Sequence, residues 1–331
     1  MGDPMLKLLG AGASLSTGAY ALIKKIPLLG EYLRYEEGKE KMHDAVDERF
    51  TNEYKILNDP KTQIDFINSF PSEVERKLII GHIFEVQADS QKCLNIVDVL
   101  KRFYENVQST DEKEVDDKQM DPDWWMLWLD RAKMTSNPQK QEILAKALEL
   151  ENKKQGTISA RFIRVLGDMS ADDLKFFEEN VKYFSIDGYL YKHANAVASD
   201  DCFFEVSLNT MKKLEGFSIA RFASGIGEYH QLQRISNGTE NFFYLTFHGY
   251  SLFIWKEQDE INFTYSMSLT EEGCLLKNLL CPDTDMDLMK MIAQKISKQL
   301  TCRVTIHKML DDKSAVNEIL FSFENGVENV Q

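Results

Sequence analysis

Proline is scarce in this chain, with 7 residues, and glycine is limited to 17 among 331. A sequence so poor in breakers, with 43% hydrophobic and 28% charged residues, folds, and long disordered tracts are excluded. Cysteine is sparse as well. Its five copies (Cys93, Cys202, Cys274, Cys281, Cys302) are odd in number, widely spread and without a C-x-x-C pair. That pattern argues against a disulfide framework and a zinc site of ordinary spacing, and it predicts reduced thiols in a cytosolic protein. Positive charge is in deficit, 39 Lys and Arg against 53 Asp and Glu, for a net charge of −14. An acidic surface repels phosphate backbones. The densest basic runs are the pairs Lys24-Lys25 and Lys153-Lys154, so nucleic acid is not an expected partner.

The familiar catalytic signatures are missing too. There is no G-x-x-x-x-G-K-[ST] loop and no G-x-S-x-G elbow. Gly10-x-Gly12 lacks a preceding strand, and Gly225-x-Gly227 lacks the third glycine of a dinucleotide fingerprint. His82-x-x-Glu85 is a single pair, whereas a metal site needs three or four ligands. The acid pairs Asp172-Asp173 and Asp200-Asp201 read as helix-start or turn residues. The sequence predicts no catalytic residue, no metal and no cofactor, and thus a non-enzymatic protein.

What is present begins at the N-terminus. Leu8, Leu15, Leu22 and Leu29 recur every seven residues, the seam of a helix. Beside the seam run Gly10, Ser14 and Gly18, then Ala13, Thr17 and Ala21, each at spacing four. Small side chains at that spacing let helix backbones approach closely. Glycine costs about 1 kcal/mol against alanine in a helix, so the stripe calls for a compensating contact. Asp3 ahead of the apolar run and Lys24-Lys25 just after it argue against a cleaved signal peptide. The charge-free run from Leu8 to Ile23 would extend roughly 24 Å as a helix, short of the ~30 Å hydrocarbon core. Three readings remain: a buried or oligomerising helix, a membrane-associated one, and a membrane segment packed away until a trigger releases it. Leu8, Gly10, Ser14, Leu15, Gly18 and Leu22 are the candidate oligomerisation or membrane residues.

Further on, residues 31–57 predict an amphipathic helix with Met42, Val46, Phe50, Tyr54 and Leu57 on one face. Asp59-Pro60, Asp121-Pro122 and Asn137-Pro138 each pair an N-cap with a proline at the first helical position. Ser72 with Glu75, and Ser170 with Asp173, read as capping boxes, the first opening a helix to about Val107. Residues 111–123 are acidic and nearly devoid of apolar side chains, a solvated linker. Trp124, Trp125, Leu127, Trp128 and Leu129 form an apolar knot best suited to a helical core. After Phe184 the texture changes. A short helix ends at Gly216, two apolar aromatic runs (241–255 and 261–269) suit paired strands, and Thr270 opens a helix. That order predicts a winged-helix-like region serving as a protein-contact module. A helix over 288–300, a strand over 303–306 and a last short element near 316–323 follow. Arg161 and Arg164, three apart on one helix, could clamp a carboxylate or phosphate, or pair with Glu151 or another acid.

Four of these elements carry a resemblance. Asp121, Pro122, Asp123 and Trp124 match a D-P-D-W element. Leu144, Ala145, Lys146, Leu148 and Glu151 match the next helix. Gly156, Ser159 and Arg161 match a turn and helix, and Ser170, Asp173 and Phe177 a fourth. In these the segment resembles the bacterial DUF2806 family, which has no established activity; Leu269 to Gly273 resembles a later L-x-E-x-G element, and the likeness extends over roughly residues 110 to 310. The resemblance implies a fold and no chemistry, although similar helical cores occur in proteins proposed to act in abortive infection.

The expected fold is mainly α with an α+β C-terminal half: a helical bundle, a winged-helix-like region and a small α/β tail. The expected divisions are 1–58 (apolar and amphipathic helices), 59–110 (helical), 111–183 (family-like core), 184–283 (winged-helix-like) and 284–331 (helix-strand tail). The expected function is a non-enzymatic antiphage effector of abortive-infection type, cytoplasmic or associated with the inner membrane. Its C-terminal half would sense an unidentified protein trigger, for which a phage protein is one candidate, and Trp124, Trp125, Arg161 and Arg164 are separate candidate partner contacts. Its N-terminal helix would self-associate into a homo-oligomer and perturb the membrane as a toxin. The alternative is a soluble scaffold or regulator whose first helix is buried.

Overall fold

The computed structural model describes residues 64, 68, 72–107, 118–194, 206–223, 229–236, 241–247, 249–280, 285–309 and 315–329. The expectations for the N-terminal helix, for residues 31–57 and 111–117, for Asp59-Pro60, for Asp200-Asp201 and Gly225-x-Gly227, and for the side chains of Glu75, His82 and Glu85 lie outside the described residues. The chain divides into two compact units, Met1–Gly167 and Asp168–Gln331.

The described part of the first unit is helical. α1 (Glu73–Val107) is followed by α2 (Pro122–Lys133), α3 (Pro138–Lys153) and α4 (Ala160–Asp168). α1 packs along α3 and α2. Its Val99, Phe103, Tyr104 and Val107, three or four apart, are each at most 2% exposed, the stripe that an amphipathic helix buries. The Asn95 amide fixes α1 to the end of α2 by donating to the Lys133 carbonyl at 2.7 Å. The helix starts follow the capping chemistry read from the sequence. Asp121 accepts from the N–H groups of Asp123 and Trp124, with Pro122 at the first helical position. Asn137 accepts from the Lys140 N–H ahead of Pro138. The tryptophan knot is core, as expected: Trp128 is fully buried, stacks on Trp125 at 5.1 Å and donates its indole N–H to the Leu144 carbonyl at 3.0 Å.

The second unit mixes helices and strands. α5 (Ala171–Val181) begins at a complete capping box, in which Ser170 and Asp173 each satisfy the other's backbone N–H. Among the described residues α6 (Leu208–Gly216), α7 (Glu271–Leu280) and α8 (Met286–Leu300) accompany ten strands in two antiparallel sheets. In the four-stranded sheet β7 (Glu260–Leu269) is central. Thr264 of β7 pairs with His193 of β1 (Tyr189–Ala194) on one side and Tyr229 of β3 (Tyr229–Gln233) on the other. β2 (Ala220–Phe222) continues the β3 edge further along β7.

The six-stranded sheet runs β10-β9-β8-β6-β5-β4. These are β4 (Ile235–Ser236), β5 (Asn241–Phe247), β6 (Tyr250–Trp255), β8 (Arg303–Met309), β9 (Ala315–Glu324) and β10 (Val327–Asn329). Run 241–255 is itself a hairpin of β5 and β6, turning at Gly249 (φ +81). The second apolar run, β7, pairs in the other sheet, so the two runs expected to pair with each other do not. Alternation assigns the faces: Phe243, Leu245, Leu252, Ile254, Val304 and Ile306 are buried, and α8 packs over this sheet with Met289, Ile292, Ala293 and Ile296 inward. The protein is mixed α+β, helical in the described part of the first unit and with both sheets in the second.

Candidate functional site

The family-like residues converge on one turn in the first unit. α3 ends at Lys153, and the chain reverses through Gly156, whose φ of +85 favours glycine. Glu151, 4% exposed, lies beneath the turn. One carboxylate oxygen accepts from the Gly156 N–H and the other from the Ile158 N–H, both at 2.8 Å. Hydrogen bonds to an ionised group are the strong kind, which is how a buried carboxylate is tolerated here. Ser159 then opens α4 by accepting from the Phe162 N–H at 3.0 Å. Across the turn, Trp124 donates its indole N–H to the Ile158 carbonyl at 2.9 Å. The D-P-D-W start of α2 is thereby tied to the α3–α4 turn.

Between these two features lies an open cleft of about 560 Å³. Its lining includes Lys118, Asp121, Trp124, Leu127, Glu151, Ile158 and Arg164. Of the four expected partner-contact residues, Trp124 and Arg164 meet here. Trp124 is 6% exposed and Trp125 5%. Trp124 thus offers the cleft little more than an edge, while Trp125 belongs to the core stack. Arg161 is exposed and outside the cleft lining. Glu151, considered as an arginine partner, has both oxygens engaged by the turn. Arg164 makes no hydrogen bond or ion pair among the described residues.

The second unit holds a buried polar cluster that sequence reasoning missed. Lys277 of α7, 1% exposed, donates its ammonium to the carbonyls of Phe184 and Ser185 at 2.6 and 2.5 Å. Burial pushes its pKa down to about 7. The Tyr191 hydroxyl lies 2.5 Å from His230 Nδ1, and His230 stacks on Tyr189 at 4.6 Å. Burial raises the tyrosine and Cys274 pKa values and lowers that of the histidine. Each group is thus held toward its neutral form. Lys277 Nζ is closed to solvent, so the cluster acts as a clasp between α7 and the segment leading into β1. A lysine inside the run Leu275-Leu276-Lys277-Asn278-Leu279-Leu280 was its sequence signal.

The face of the six-stranded sheet opposite the buried alternation is aromatic. Phe242 stacks on Phe253 at 4.8 Å, and Phe253 on His307 at 4.2 Å. Arg303 covers Trp255 at 4.6 Å. These ring faces are spent on one another, which removes them as platforms for stacking bases. Cross-strand pairing places Ile235 with Phe242, Tyr244 with Phe253 and Ile319 with His307. Residues directly opposite share a face, so Ile235, Tyr244 and Ile319 are on this one. They are 38%, 47% and 36% exposed.

Fold and site together define a mixed α+β protein whose motif residues cap and tie its helices around a small open cleft. Residues 85–187 match the family described as "Protein of unknown function (DUF2806)", and the resemblance seen in the helix-start motifs is thereby shown for that segment. Leu269 to Gly273 lies beyond the match. No curated protein and no solved structure matches the chain.

Proposed function

We propose that this protein is a non-enzymatic effector of antiphage, abortive-infection type. Its second unit recognises a protein partner, and its N-terminal glycine-spaced helix self-associates and perturbs a membrane. One observation carries the recognition half: three large apolar side chains, Ile235, Tyr244 and Ile319, stand exposed on a single sheet face. Ile235 and Tyr244 stand on the adjacent strands β4 and β5, and Ile319 on β9 beyond the buried Ser251 and His307; neighbouring exposed apolar residues mark interaction surfaces. The order α6, strands, α7 supports the winged-helix-like reading of this region, although its strands are divided between two sheets. A DNA-reading role is disfavoured by Lys213, whose ammonium is already engaged by Asp173 at 3.5 Å and by the Phe176 ring at 4.1 Å.

The effector half rests on the Gly10, Ser14 and Gly18 stripe with its leucine seam. In a bacterial host challenged with phage, Gly10→Leu with Gly18→Leu is expected to abolish protection while the purified protein stays folded. Unchanged protection removes the effector reading. The second reading, a soluble scaffold, is favoured by the same sheet face, which needs no membrane. Among the described residues no helix is long and apolar enough to cross a membrane. Dye release from anionic lipid vesicles separates the two. An effector releases dye with residues 1–29 present and loses that activity without them; a scaffold releases none in either form.

A further inference from the structure

We propose that the cleft between the start of α2 and the α3–α4 turn binds a carboxylate carried on an apolar group. At about 560 Å³ it falls in the range of small-ligand sites. Its apolar part is the half-buried Leu127 and the edge of Trp124, held in place from within. Ile158 is 1% exposed, Trp124 is bonded to the Ile158 carbonyl, and Leu127 lies beside them in the lining. An alkyl or aryl group laid along Leu127 and the Trp124 edge leaves water.

Arg164 supplies the polar end. It lines the cleft and makes no hydrogen bond or ion pair among the described residues. A guanidinium is a planar fork of donors whose spacing matches the two oxygens of a carboxylate. Acids outnumber bases in this chain, 53 to 39, and three of them line the same cleft, yet none is paired with Arg164. Asp121 has an oxygen taken by the N–H groups of Asp123 and Trp124. Glu151 has both oxygens taken by Gly156 and Ile158. Arg164 is an exposed cation beside that apolar strip, without a counter-ion among the described residues.

The same acids decide how much charge an occupant can carry. Asp121, Asp123 and Glu151 outnumber Arg164 and Lys118 in the lining, so any charge beyond the one that Arg164 pairs at contact meets a net repulsion. One negative charge facing Arg164, with Lys118 also in the lining, is therefore preferred to a phosphate monoester. The assignment stands apart from the effector reading, since it uses neither the N-terminal helix nor the sheets.

Calorimetric titration of the full chain tests it, with hexanoate, hexan-1-ol and hexyl phosphate as probes. Hexanoate is expected to bind saturably, and hexan-1-ol about tenfold more weakly, the loss of one charge-assisted contact. Arg164→Gln should weaken hexanoate by a similar factor without moving the melting temperature, and Arg161→Gln should change nothing. Absence of saturable hexanoate binding overturns the proposal, as does equal binding by Arg164→Gln. Tighter binding of hexyl phosphate than of hexanoate overturns the carboxylate assignment.

Discussion

Glu151 shows how one side chain holds a segment together. Its two oxygens accept from two backbone N–H groups of a turn, that of Ile158 buried and that of Gly156 at the exposed bend. Glu151→Ala removes both bonds and is expected to cost about 2–3 kcal/mol, read as a lower urea midpoint with an unchanged slope. Glu151→Gln, which keeps one acceptor oxygen, should lose less. Gly273 is as exacting for a different reason. A Cβ there would lie 1.9 Å from the Ile219 carbonyl oxygen, a backbone atom fixed by its hydrogen bond from the Thr270 N–H at 2.9 Å. Gly273→Ala should destabilise the second unit by about 1–3 kcal/mol through overpacking. A melting temperature within a degree of the parent would refute the close approach. The two described thiols are quiet by the same logic of burial, which raises both Cys274 and Cys302, the latter to about 11. Thiolate is the reactive form, so both should alkylate slowly with iodoacetamide at pH 7.5 and quickly once the chain is unfolded.

At the scale of elements, α7 is held by an ion that has little water around it. Lys277 loses its proton near pH 7 when folded, against 10.5 for an ordinary lysine. Between those values the unfolded chain binds a proton that the folded chain has released, so stability rises with pH across the window from about 7 to 10. Below pH 7 both states are protonated, and the cost of burying the charge is fully present, offset by the two carbonyls that accept from it. Lys277→Met has no such proton to lose. Urea unfolding at pH 7 and at pH 9.5 should show the parent gaining at least about 1 kcal/mol relative to the variant. A difference that stays flat would mean that the two carbonyls keep the ammonium charged throughout. Capping is the other device at this scale. The Ser170–Asp173 box starts α5, and the hydrogen bonds from Ser170 hold the Asp173 carboxyl below its usual range. Ser170→Ala is expected to cost about 1 kcal/mol.

For the whole molecule, charge and surface decide what it can meet. The net charge of −14 and the pairing of Lys213 with Asp173 predict no retention of duplex DNA in a gel at 150 mM salt; a stable, salt-sensitive shift would reverse that reading. The sheet face carrying Ile235, Tyr244 and Ile319 is the surface to test for partner recognition. Tyr244→Glu with Ile319→Glu should abolish protection in the phage challenge while leaving the circular dichroism spectrum and melting temperature unchanged. Protection that survives the double substitution removes the face from the proposal.

The sequence by itself determined the helix starts. Asp121-Pro122, Asn137-Pro138 and Ser170 with Asp173 act within a few residues of themselves, so their geometry needs no distant partner. The burial of Trp128 and the alternation of β5 and β6 were legible for the same reason, as periodic patterns along one stretch of chain. Only the tertiary structure decided which strands pair. The aromatic run 241–255 reads as one strand until Gly249 turns it, and nothing local sends β7 to the opposite sheet from β6. Only it showed Lys277 reaching the carbonyls of residues 184 and 185, more than ninety positions away along the chain. It alone placed Trp124 and Arg164 at one cleft while sending Trp125 into the core. Such contacts are long in sequence and short in space. Chain closure around a shared core creates them, and no local propensity encodes it.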